Sequence, residues 1–323
     1  MTIKVLFSAP YMVPIVDRFR EIFTSNGIDL IVPEVIERLS EDQLMAYAGE
    51  VDGVLCGDDR FSEPVLEAYA PRLKVISKWG TGIDGIDSDA AARLGVQVCN
   101  TPGAFTDPVA DTVMSYLLAF ARSVPWLDRA MKVGRWQKIP GRALQECTLG
   151  VVGVGNIGKA VLRRARVFGM RLFGNDIVEI DQAFLWDVGV EMVTLDQLLS
   201  LVDFVSLNCD LNPTSYHLID REAFKKMQPH AVLINTSRGQ VIEEEALIEA
   251  LQQKQIAGAG LDVFEDEPLP KGHPFMSMEN VLLSPHNANS SPGAWKRVHI
   301  NSLRNLFRGL GLEFVVGNDI SWE

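Results

Sequence analysis

The sequence predicts an α/β protein with two doubly wound, parallel-sheet domains. Short β-branched strands alternate with helical segments along most of the chain, and this alternation is typical of parallel sheets. At 323 residues, the chain also exceeds the size at which a single core usually keeps growing. Thr101-Pro102-Gly103 interrupts the alternation. We therefore predict one domain of residues 101–289, inserted in a second domain that combines residues 1–100 and 290–323.

The first alternating series ends near residue 100. Helical segments are predicted at 41–49 and at 63–70, the latter opened by Ser62 with Pro64 in its first turn. The predicted strands lie in IKVLFSAP, IDLIVP, VDGVLCG, LKVISKWG and VQVCN. This series predicts the parallel sheet of the discontinuous domain.

A second and longer series follows a mostly apolar helix predicted at 106–122. Its six predicted strands lie in TLGVVGVG, RLFGND, DFVSLN, AVLINTS, IAGAGLDVF and VLLSPH. Six strands of this kind are typical of a dinucleotide-binding doubly wound sheet. A last helix is predicted at 293–309, and we expect the final dozen residues to pack on the first sheet.

Composition and charge narrow the function classes. A formal net charge of -12 disfavours nucleic acid and anionic membrane as partners, because both require clustered positive charge. The N-terminus MTIKVLFSAPY lacks the longer apolar region of a signal peptide, and no stretch approaches the ~20 apolar residues of a membrane span. There is no Cys-x-x-Cys pair, so we predict that the cysteines are buried thiols of a reducing compartment. Together with the N-terminus, this predicts a cytoplasmic location. We predict no metal site. The cysteines are Cys56, Cys99, Cys147 and Cys209.

A glycine-rich segment in the second series predicts a cofactor loop. The hexapeptide Gly153-Val154-Gly155-Asn156-Ile157-Gly158 fits Gly-x-Gly-x-x-Gly, a pattern that is weak by itself. Here a strand, Leu149 to Val152, precedes it, and a helix from Ile157 to Phe168 follows. A second strand, Arg171 to Asn175, then ends in Asp176. This context is that of the Rossmann dinucleotide-binding unit, so we assign the loop, including Asn156 and Ile157, to the cofactor.

The loop residues have distinct expected roles. Gly153 would make the tight turn, Gly155 would let a pyrophosphate approach the backbone, and Gly158 would let helix and strand pack closely. Asp176 would accept hydrogen bonds from the adenosine ribose and repel a 2′-phosphate. No basic residue occurs in Asp176-Ile177-Val178-Glu179, so NAD is favoured over NADP. The alternative is a glycine turn followed by a solvated aspartate.

Three polar residues follow the last three strands of this series. Arg238 follows AVLINTS, Glu267 comes shortly after AGAGLDVF, and His286 follows VLLSP. Ligands bind beyond the carboxyl ends of the strands in open parallel sheets, so these side chains are expected to meet at one rim. Each residue alone is more often structural. The three together, behind a dinucleotide loop, favour catalysis.

The three residue types suit the oxidation of a 2-hydroxy acid or the reverse reaction. Arg238 can bind a carboxylate bidentately, and His286 can exchange the hydroxyl proton near neutral pH. Glu267 would hydrogen-bond the imidazole, fix its tautomer and favour its protonated form. Asp262, at the end of the strand before Glu267, could instead accept from the nicotinamide carboxamide. The remaining histidines lie in loop-like or helix-like segments without a comparable set of polar partners. We interpret them as surface or packing residues: His217, His230, His273 and His299.

Several of these segments resemble the D-isomer-specific 2-hydroxyacid dehydrogenase family, which includes phosphoglycerate dehydrogenase. The segments are GVVGVGNIGKAV, INTSRGQVIEEEAL, AGLDVFEDEP, LLSPH, and KWGTGIDGID with VCNTPG. The resemblance extends from about residue 50 to 300. It implies a Rossmann NAD-binding domain inserted in a flavodoxin-like substrate domain, and a homodimer joined largely through the cofactor domain.

The same resemblance implies roles for individual residues. Arg238, Glu267 and His286 take the substrate-binding, histidine-tuning and acid/base positions. Backbone amides around Thr81-Gly82 would hold the substrate carboxylate, and Thr112 and Asp262 would contact NAD. The sequence departs from the family at three places: Asp111 stands where glutamate usually follows Val-Ala, Asn208 stands where a histidine is frequent, and Asn-Ala-Asn-Ser follows His286.

The sequence leaves the identity of the substrate open. Phosphoglycerate dehydrogenases often carry basic residues in the loop after the third strand, whereas Leu55 to Phe61 contains only Arg60, beside two aspartates. Possible substitutes for binding a phosphate are Lys78, Arg135, Lys138 and Arg142. The candidates are 3-phosphoglycerate, glyoxylate, hydroxypyruvate and other small 2-hydroxy or 2-keto acids. Two other readings are an NAD(H)-sensing binding module with little turnover and a formate dehydrogenase, for which an acid/base histidine would be redundant.

Overall fold

The computed structural model describes residues 2–314, which divide into two compact units. Unit 1 contains the described residues up to Phe105 and those from Ser290 onward, and unit 2 is Thr106–Asn289. The strands are β1 (Ile3–Phe7), β2 (Ile28–Ile31), β3 (Gly53–Cys56), β4 (Val75–Lys78), β5 (Gln97–Cys99), β6 (Thr148–Val152), β7 (Arg171–Asn175), β8 (Val190–Met192), β9 (Phe204–Leu207), β10 (Val232–Asn235), β11 (Gly258–Leu261) and β12 (Val281–Leu283).

The α-helices come between most of these strands. They are α1 (Arg20–Ser25), α2 (Glu41–Met45), α3 (Glu63–Tyr69), α4 (Ser88–Arg93), α5 (Thr106–Arg122), α6 (Val124–Lys132), α7 (Asn156–Val167), α8 (Gln182–Val188), α9 (Leu195–Leu201), α10 (Arg221–Lys226), α11 (Glu244–Gln252) and α12 (Pro292–Gly309). Short 3-10 helices occur at Val13–Arg18, Leu144–Glu146, Gly239–Val241 and Pro274–Ser277.

Unit 1 is a five-stranded parallel sheet in the order β2-β1-β3-β4-β5. Every residue of β3 and β4 is buried, as expected for central strands covered on both faces. Helix α12 packs directly on them: a Cβ at Gly309 would lie 2.4 Å from a methyl of Val75. The strand order reverses between β1 and β3, which places a crevice at the carboxyl ends of these strands.

Unit 2 is a seven-stranded parallel sheet in the order β12-β11-β10-β9-β6-β7-β8. The order reverses between β6 and β9, so the carboxyl ends of those strands define its crevice. Helix α5 packs closely on the sheet because β11 carries glycines: a Cβ at Gly258 would lie 2.7 Å from the Phe120 ring, and one at Gly260 would lie 2.8 Å from Tyr116.

Two predicted elements differ from the structure. The second sheet has seven strands where six were predicted, because β8 is a three-residue edge strand too short to show a pattern. The helix predicted at 41–49 is only Glu41–Met45; a capping box of Ser40 and Gln43 opens it, and Gly49 at φ +71° closes the turns that follow. The prediction for the final dozen residues falls mostly on 315–323, outside the described residues.

The four cysteines are free thiols. Cys56 and Cys147 are buried as predicted, whereas Cys99 and Cys209 are partly exposed, which corrects the prediction for these two thiols. Among the helices of residues 2–314, none combines the length and apolarity that a membrane crossing requires.

Candidate active site

The glycine loop joins β6 to α7 at the crevice of unit 2. Gly153 has φ +88°, and a Cβ there would lie 2.5 Å from the backbone nitrogen of Cys209. A Cβ at Gly158 would lie 2.1 Å from the carbonyl oxygen of Gly153. By contrast, nothing lies within 4 Å of a Cβ built at Gly155. Two of the glycines are therefore needed for packing, whereas Gly155 faces open space.

Helix α7 begins at this open space. Gly155 is its N-cap, and no side chain caps the helix. Asn156 and Ile157 are its first residues, and its first turn contains no acidic residue. The N-terminus of a helix with uncapped amides and a partial positive charge is suited to a pyrophosphate.

Asp176 follows β7 and closes the other side of the loop. Its Oδ2 accepts a 2.6 Å hydrogen bond from the Val154 amide, and its Oδ1 accepts a 3.1 Å bond from the Val178 amide. Each carboxylate oxygen has two lone pairs, so the half-buried group can still accept from ribose hydroxyls. The residues that follow it, Ile177 and Val178, are exposed and apolar.

Buried polar atoms along the same edge support a bound cofactor. Asn208 follows β9 and Thr236 follows β10. Asn208 Oδ1 and Thr236 Oγ1 are buried without a hydrogen-bond partner among the described residues. Buried polar atoms normally have partners, so polar groups of a ligand at this crevice would complete them. The residues present thus fit a dinucleotide.

Arg238, Glu267 and His286 follow the adjacent strands β10, β11 and β12, all at the carboxyl edge. His286 Nδ1 lies 2.9 Å from Glu267 Oε2, and both side chains are largely buried. Glu267 Oε1 accepts a 3.0 Å hydrogen bond from the Phe264 amide, which fixes the carboxylate. The structure therefore brings together the histidine and glutamate that the sequence predicted as a pair.

Arg238 is fixed by its own loop. Its carbonyl oxygen accepts from Asn235 Nδ2 at 2.8 Å, and its Nη1 donates to the Ser237 carbonyl at 2.8 Å. The next residue, Gly239, packs against the segment that carries Glu267: a Cβ there would lie 1.9 Å from the carbonyl carbon of Phe264. This close approach ties the arginine loop to the Glu267 segment.

Asp262 holds the turn that presents His286. It is 1% exposed, and its two carboxylate oxygens accept from the amides of Asn287 at 2.8 Å and Ala288 at 2.9 Å. Its carbonyl oxygen accepts from the His286 amide at 2.7 Å. His286 adopts φ +48° in this turn. Asp262 thus has a supporting role that the sequence did not reveal, and its predicted contact with NAD stays a prediction.

Helix α5 carries Thr112 and Asp111. Thr112 Oγ1 donates to the Pro108 carbonyl at 3.0 Å, and its contact with NAD stays a prediction. Asp111 and Asp107 both pair with Arg164 of α7, at 2.7 Å and 2.9 Å. The aspartate that departs from the family pattern therefore joins two helices.

Thr81 and Gly82 lie in unit 1, in the turn after β4. Thr81 is exposed; its Oγ1 donates to the Thr101 carbonyl at 3.2 Å, and its carbonyl accepts from Asn100 Nδ2 at 2.6 Å. Gly80 O accepts from the Thr101 amide at 2.8 Å and from its hydroxyl at 2.9 Å. The turn is therefore rigidly held at the carboxyl edge of the unit 1 sheet.

The basic residues considered for a substrate phosphate differ in their surroundings. Arg142 pairs with Asp203, which precedes β9 and accepts from the Thr148 amide at the start of β6. It therefore lies at the amino edge of the unit 2 sheet, opposite to the cofactor loop, and this position argues against a role as a phosphate ligand. Lys78 is buried in unit 1, whereas Arg60 and Lys138 are exposed.

Three of the four other histidines also have carboxylate partners, which corrects the interpretation that they lack such partners; one of them is His230, whose Nε2 lies 2.9 Å from Asp203 Oδ1. His217 Nε2 lies 2.9 Å from Glu265 Oε1, and His273 Nε2 lies 2.9 Å from Glu244 Oε1. Each of these two glutamates accepts from the backbone amide of the other, at 3.2 Å and 3.3 Å. Because Glu265 lies two residues before Glu267, this network holds the segment that carries the predicted catalytic glutamate.

Comparison with known proteins decides the family. The family model described as D-isomer specific 2-hydroxyacid dehydrogenase, NAD binding domain, matches residues 114–288. The chain belongs to the D-isomer specific 2-hydroxyacid dehydrogenase family. It is 43% identical over 239 residues to a glyoxylate reductase of Korarchaeum cryptofilum, covering 72% of this chain and 71% of that protein. It is 37% identical to a hydroxypyruvate reductase of Thermotoga maritima, covering 85% of this chain and 90% of the relative.

Solved structures agree with this membership. The chain superposes on the D-lactate dehydrogenase of Aquifex aeolicus in complex with NAD and lactic acid with a TM-score of 0.81. The two are 26% identical, and the match covers 98% of this chain and 100% of that one. As a D-isomer specific 2-hydroxyacid dehydrogenase, the protein is an NAD-dependent oxidoreductase that acts on CH-OH groups. The predicted fold class and cofactor are confirmed.

Proposed function

We propose that this dehydrogenase interconverts a small 2-keto acid and the corresponding D-2-hydroxy acid, with glyoxylate and hydroxypyruvate as the first candidates. The observation that carries the proposal is the 2.9 Å pair of His286 and Glu267, at the same sheet edge as Arg238 and the glycine loop. The names of the two sequence relatives support these two substrates.

The cofactor binds to the glycine loop in this proposal. The amides at the start of α7, with Asn156 and Ile157, hold the pyrophosphate, and Asp176 holds the adenosine ribose. Gly155 leaves room for the pyrophosphate, whereas Gly153 and Gly158 keep the loop in shape. When bound there, NADH would supply the hydride for reduction at C2 of the keto acid.

The chain's own residues then hold the substrate and move the proton. Arg238 binds the substrate through its planar guanidinium. The family resemblance assigns the backbone amides of Thr81 and Gly82 to the substrate carboxylate. Because Nδ1 of His286 is bonded to Glu267, Nε2 is the nitrogen that donates a proton to the C2 oxygen during reduction. Glu267 fixes the tautomer and stabilises the imidazolium before that transfer.

The proposal is tested by following NADH oxidation at 340 nm with a panel of 2-keto acids. The panel contains glyoxylate, hydroxypyruvate, pyruvate, 2-ketoglutarate and phosphohydroxypyruvate. We expect steady turnover with glyoxylate or hydroxypyruvate. Tight NADH binding without oxidation by any acid of the panel would contradict the proposal and favour an NAD(H)-sensing role.

We further propose that the protein is a homodimer joined through α6 and the residues that follow it. None of the α6 side chains is buried among the described residues. Several apolar side chains there are exposed, and Trp136 has an exposure of 85%. A second copy of the chain would cover this surface, which we define by Val124, Met131, Val133, Trp136 and Ile139.

A further inference from the structure

An ion pair between a buried lysine and a partly exposed aspartate lies at the carboxyl ends of β3 and β4 in unit 1. Lys78, the last residue of β4, is 5% exposed, and its Nζ lies 2.9 Å from Asp58 Oδ1. The same ammonium group donates to the Trp79 carbonyl at 3.1 Å. The positive charge of this lysine is therefore already balanced inside the unit.

A second carboxylate lies beside this pair. Asp59 is 1% exposed and accepts from the Leu39 amide at 2.7 Å and from the Ser8 hydroxyl. Burial raises its pKa to about 6, above which the group is ionised. Above that pH, two carboxylates face one ammonium, and the end of β3 is acidic.

The ion pair lies directly beneath the turn that contains Thr81 and Gly82. A Cβ at Gly80 would lie 3.4 Å from Lys78 Nζ. The Trp79 amide donates to the Cys56 carbonyl at 2.8 Å, so the ends of β3 and β4 remain side by side. A ligand held by the turn after β4 therefore has the end of β3 as its neighbour.

We propose that Asp58 and Asp59 select against 2-keto acids that carry an anionic group on C3. The substrate class is then that of 2-keto acids whose C3 substituent is absent or uncharged, such as glyoxylate and hydroxypyruvate. This inference rests on the proposed function, which places the substrate carboxylate at Thr81 and Gly82. A phosphate on C3 meets like charge, and Lys78 is already paired with Asp58.

The test compares kcat/KM for glyoxylate, hydroxypyruvate and phosphohydroxypyruvate. Hydroxypyruvate and phosphohydroxypyruvate differ only in the phosphate, and glyoxylate has no C3 group at all. We expect the wild-type enzyme to prefer hydroxypyruvate to phosphohydroxypyruvate by ~100-fold or more, as placing like charges together strongly disfavours a partner.

Two variants test whether the negative charge of Asp58 causes the selectivity. Asp58→Asn should raise the kcat/KM ratio of phosphohydroxypyruvate to hydroxypyruvate by ~10-fold, because it removes a negative charge and releases Lys78 from its ion pair. Asp29→Asn is the matched control: it makes the same charge change at an exposed position of β2. It should keep the wild-type ratio. A thermal melt of both variants verifies that they are folded.

The outcomes separate this inference from the proposed function. Turnover of glyoxylate together with equal efficiency for hydroxypyruvate and its phosphate would overturn the inference and leave the proposed function standing. A ratio that changes equally in Asp58→Asn and Asp29→Asn would also overturn it. Absence of turnover with all three acids would overturn the proposed function, and the inference with it.

Discussion

At the residue scale, the hydrogen-bonded pair of His286 with Glu267 is the centre of the proposed proton transfer. The sequence showed both residues because each follows a strand of the same sheet, and strand ends meet at one edge. The pairs of His217 with Glu265, of His273 with Glu244 and of His230 with Asp203 were missed. Their members are far apart in the sequence and lie in loops or a helix, where no periodic pattern reports spatial contact.

Also at the residue scale, Asp176 should determine the relative affinity for NADH and NADPH. Its carboxylate stands where the adenosine ribose is expected, and a carboxylate repels a 2′-phosphate. We expect Asp176→Ala to weaken NADH binding by ~10-fold or more and to reduce the preference over NADPH. The measurement is a fluorescence titration with both cofactors.

Asp176→Asn is the control because the asparagine side chain retains an oxygen that accepts from the Val154 amide. It should lose selectivity with less damage to the loop than Asp176→Ala. If both variants kept the wild-type ratio of NADH to NADPH affinity, another residue would contact the adenosine ribose.

At the scale of elements, we expect different glycines of the loop to serve packing and cofactor binding. Gly158→Ala places a Cβ 2.1 Å from the Gly153 carbonyl, so we expect it to lower the free energy of unfolding by about 1–3 kcal/mol. Gly155→Ala meets nothing within 4 Å and should cost about 1 kcal/mol or less. Its methyl group would occupy the space for the pyrophosphate, so NADH binding should weaken markedly.

Chemical denaturation and NADH titration of both variants measure these effects. If Gly155→Ala bound NADH as tightly as the wild type, the cofactor would not approach the backbone at that glycine. If Gly158→Ala were fully stable, the loop would have to relax away from α7.

The contact between α12 and the end of β4 makes unit 1 sensitive to acid. His299 is 2% exposed, and its Nδ1 accepts from Trp79 Nε1 at 2.8 Å. Burial, with a contribution from Arg18, lowers the pKa of this histidine from 6.5 to about 4. The unfolded chain therefore binds a proton that the folded one excludes, and stability is lost as the pH falls from 6.5 towards 4.

We expect His299→Gln to lack this loss. The wild-type free energy of unfolding should fall relative to the variant by about 1.4 kcal/mol per pH unit in that window. The comparison with the variant is necessary because Asp59, with its pKa raised to about 6, contributes stability that is gained over the same fall in pH. Parallel pH profiles of the two proteins in denaturant unfolding would contradict the assignment.

A helix or strand was predictable from the sequence when it was long enough to repeat its hydrophobic period. Helix α5 was predicted at 106–122 and is Thr106–Arg122, because its apolar face is long and regular. Strand β8 escaped prediction because three residues cannot show alternation. Helix α2 is shorter than predicted because turns replace helix after Met45.

At the scale of the whole molecule, the two parallel sheets and the family are established, and the assembly is proposed. Trp136→Glu should prevent dimer formation by placing a charge on the exposed surface of α6 and its following segment. Trp186→Glu is the matched control, since Trp186 lies on α8 with an exposure of 91%. Sedimentation velocity measures the mass of both variants. A monomeric wild-type protein, or a dimer in both variants, would contradict the proposed interface.

The proposed proton transfer by His286 predicts a large loss of kcat in His286→Gln. The measurement is glyoxylate-dependent NADH oxidation by the wild type, by His286→Gln and by His230→Gln. His230 is a matched control because it also lies 2.9 Å from a carboxylate, that of Asp203 at the opposite edge of the sheet. We predict that His286→Gln lowers kcat by ~100-fold or more with NADH affinity nearly unchanged, whereas His230→Gln retains wild-type turnover. Near-normal turnover by His286→Gln would show that another group transfers the proton.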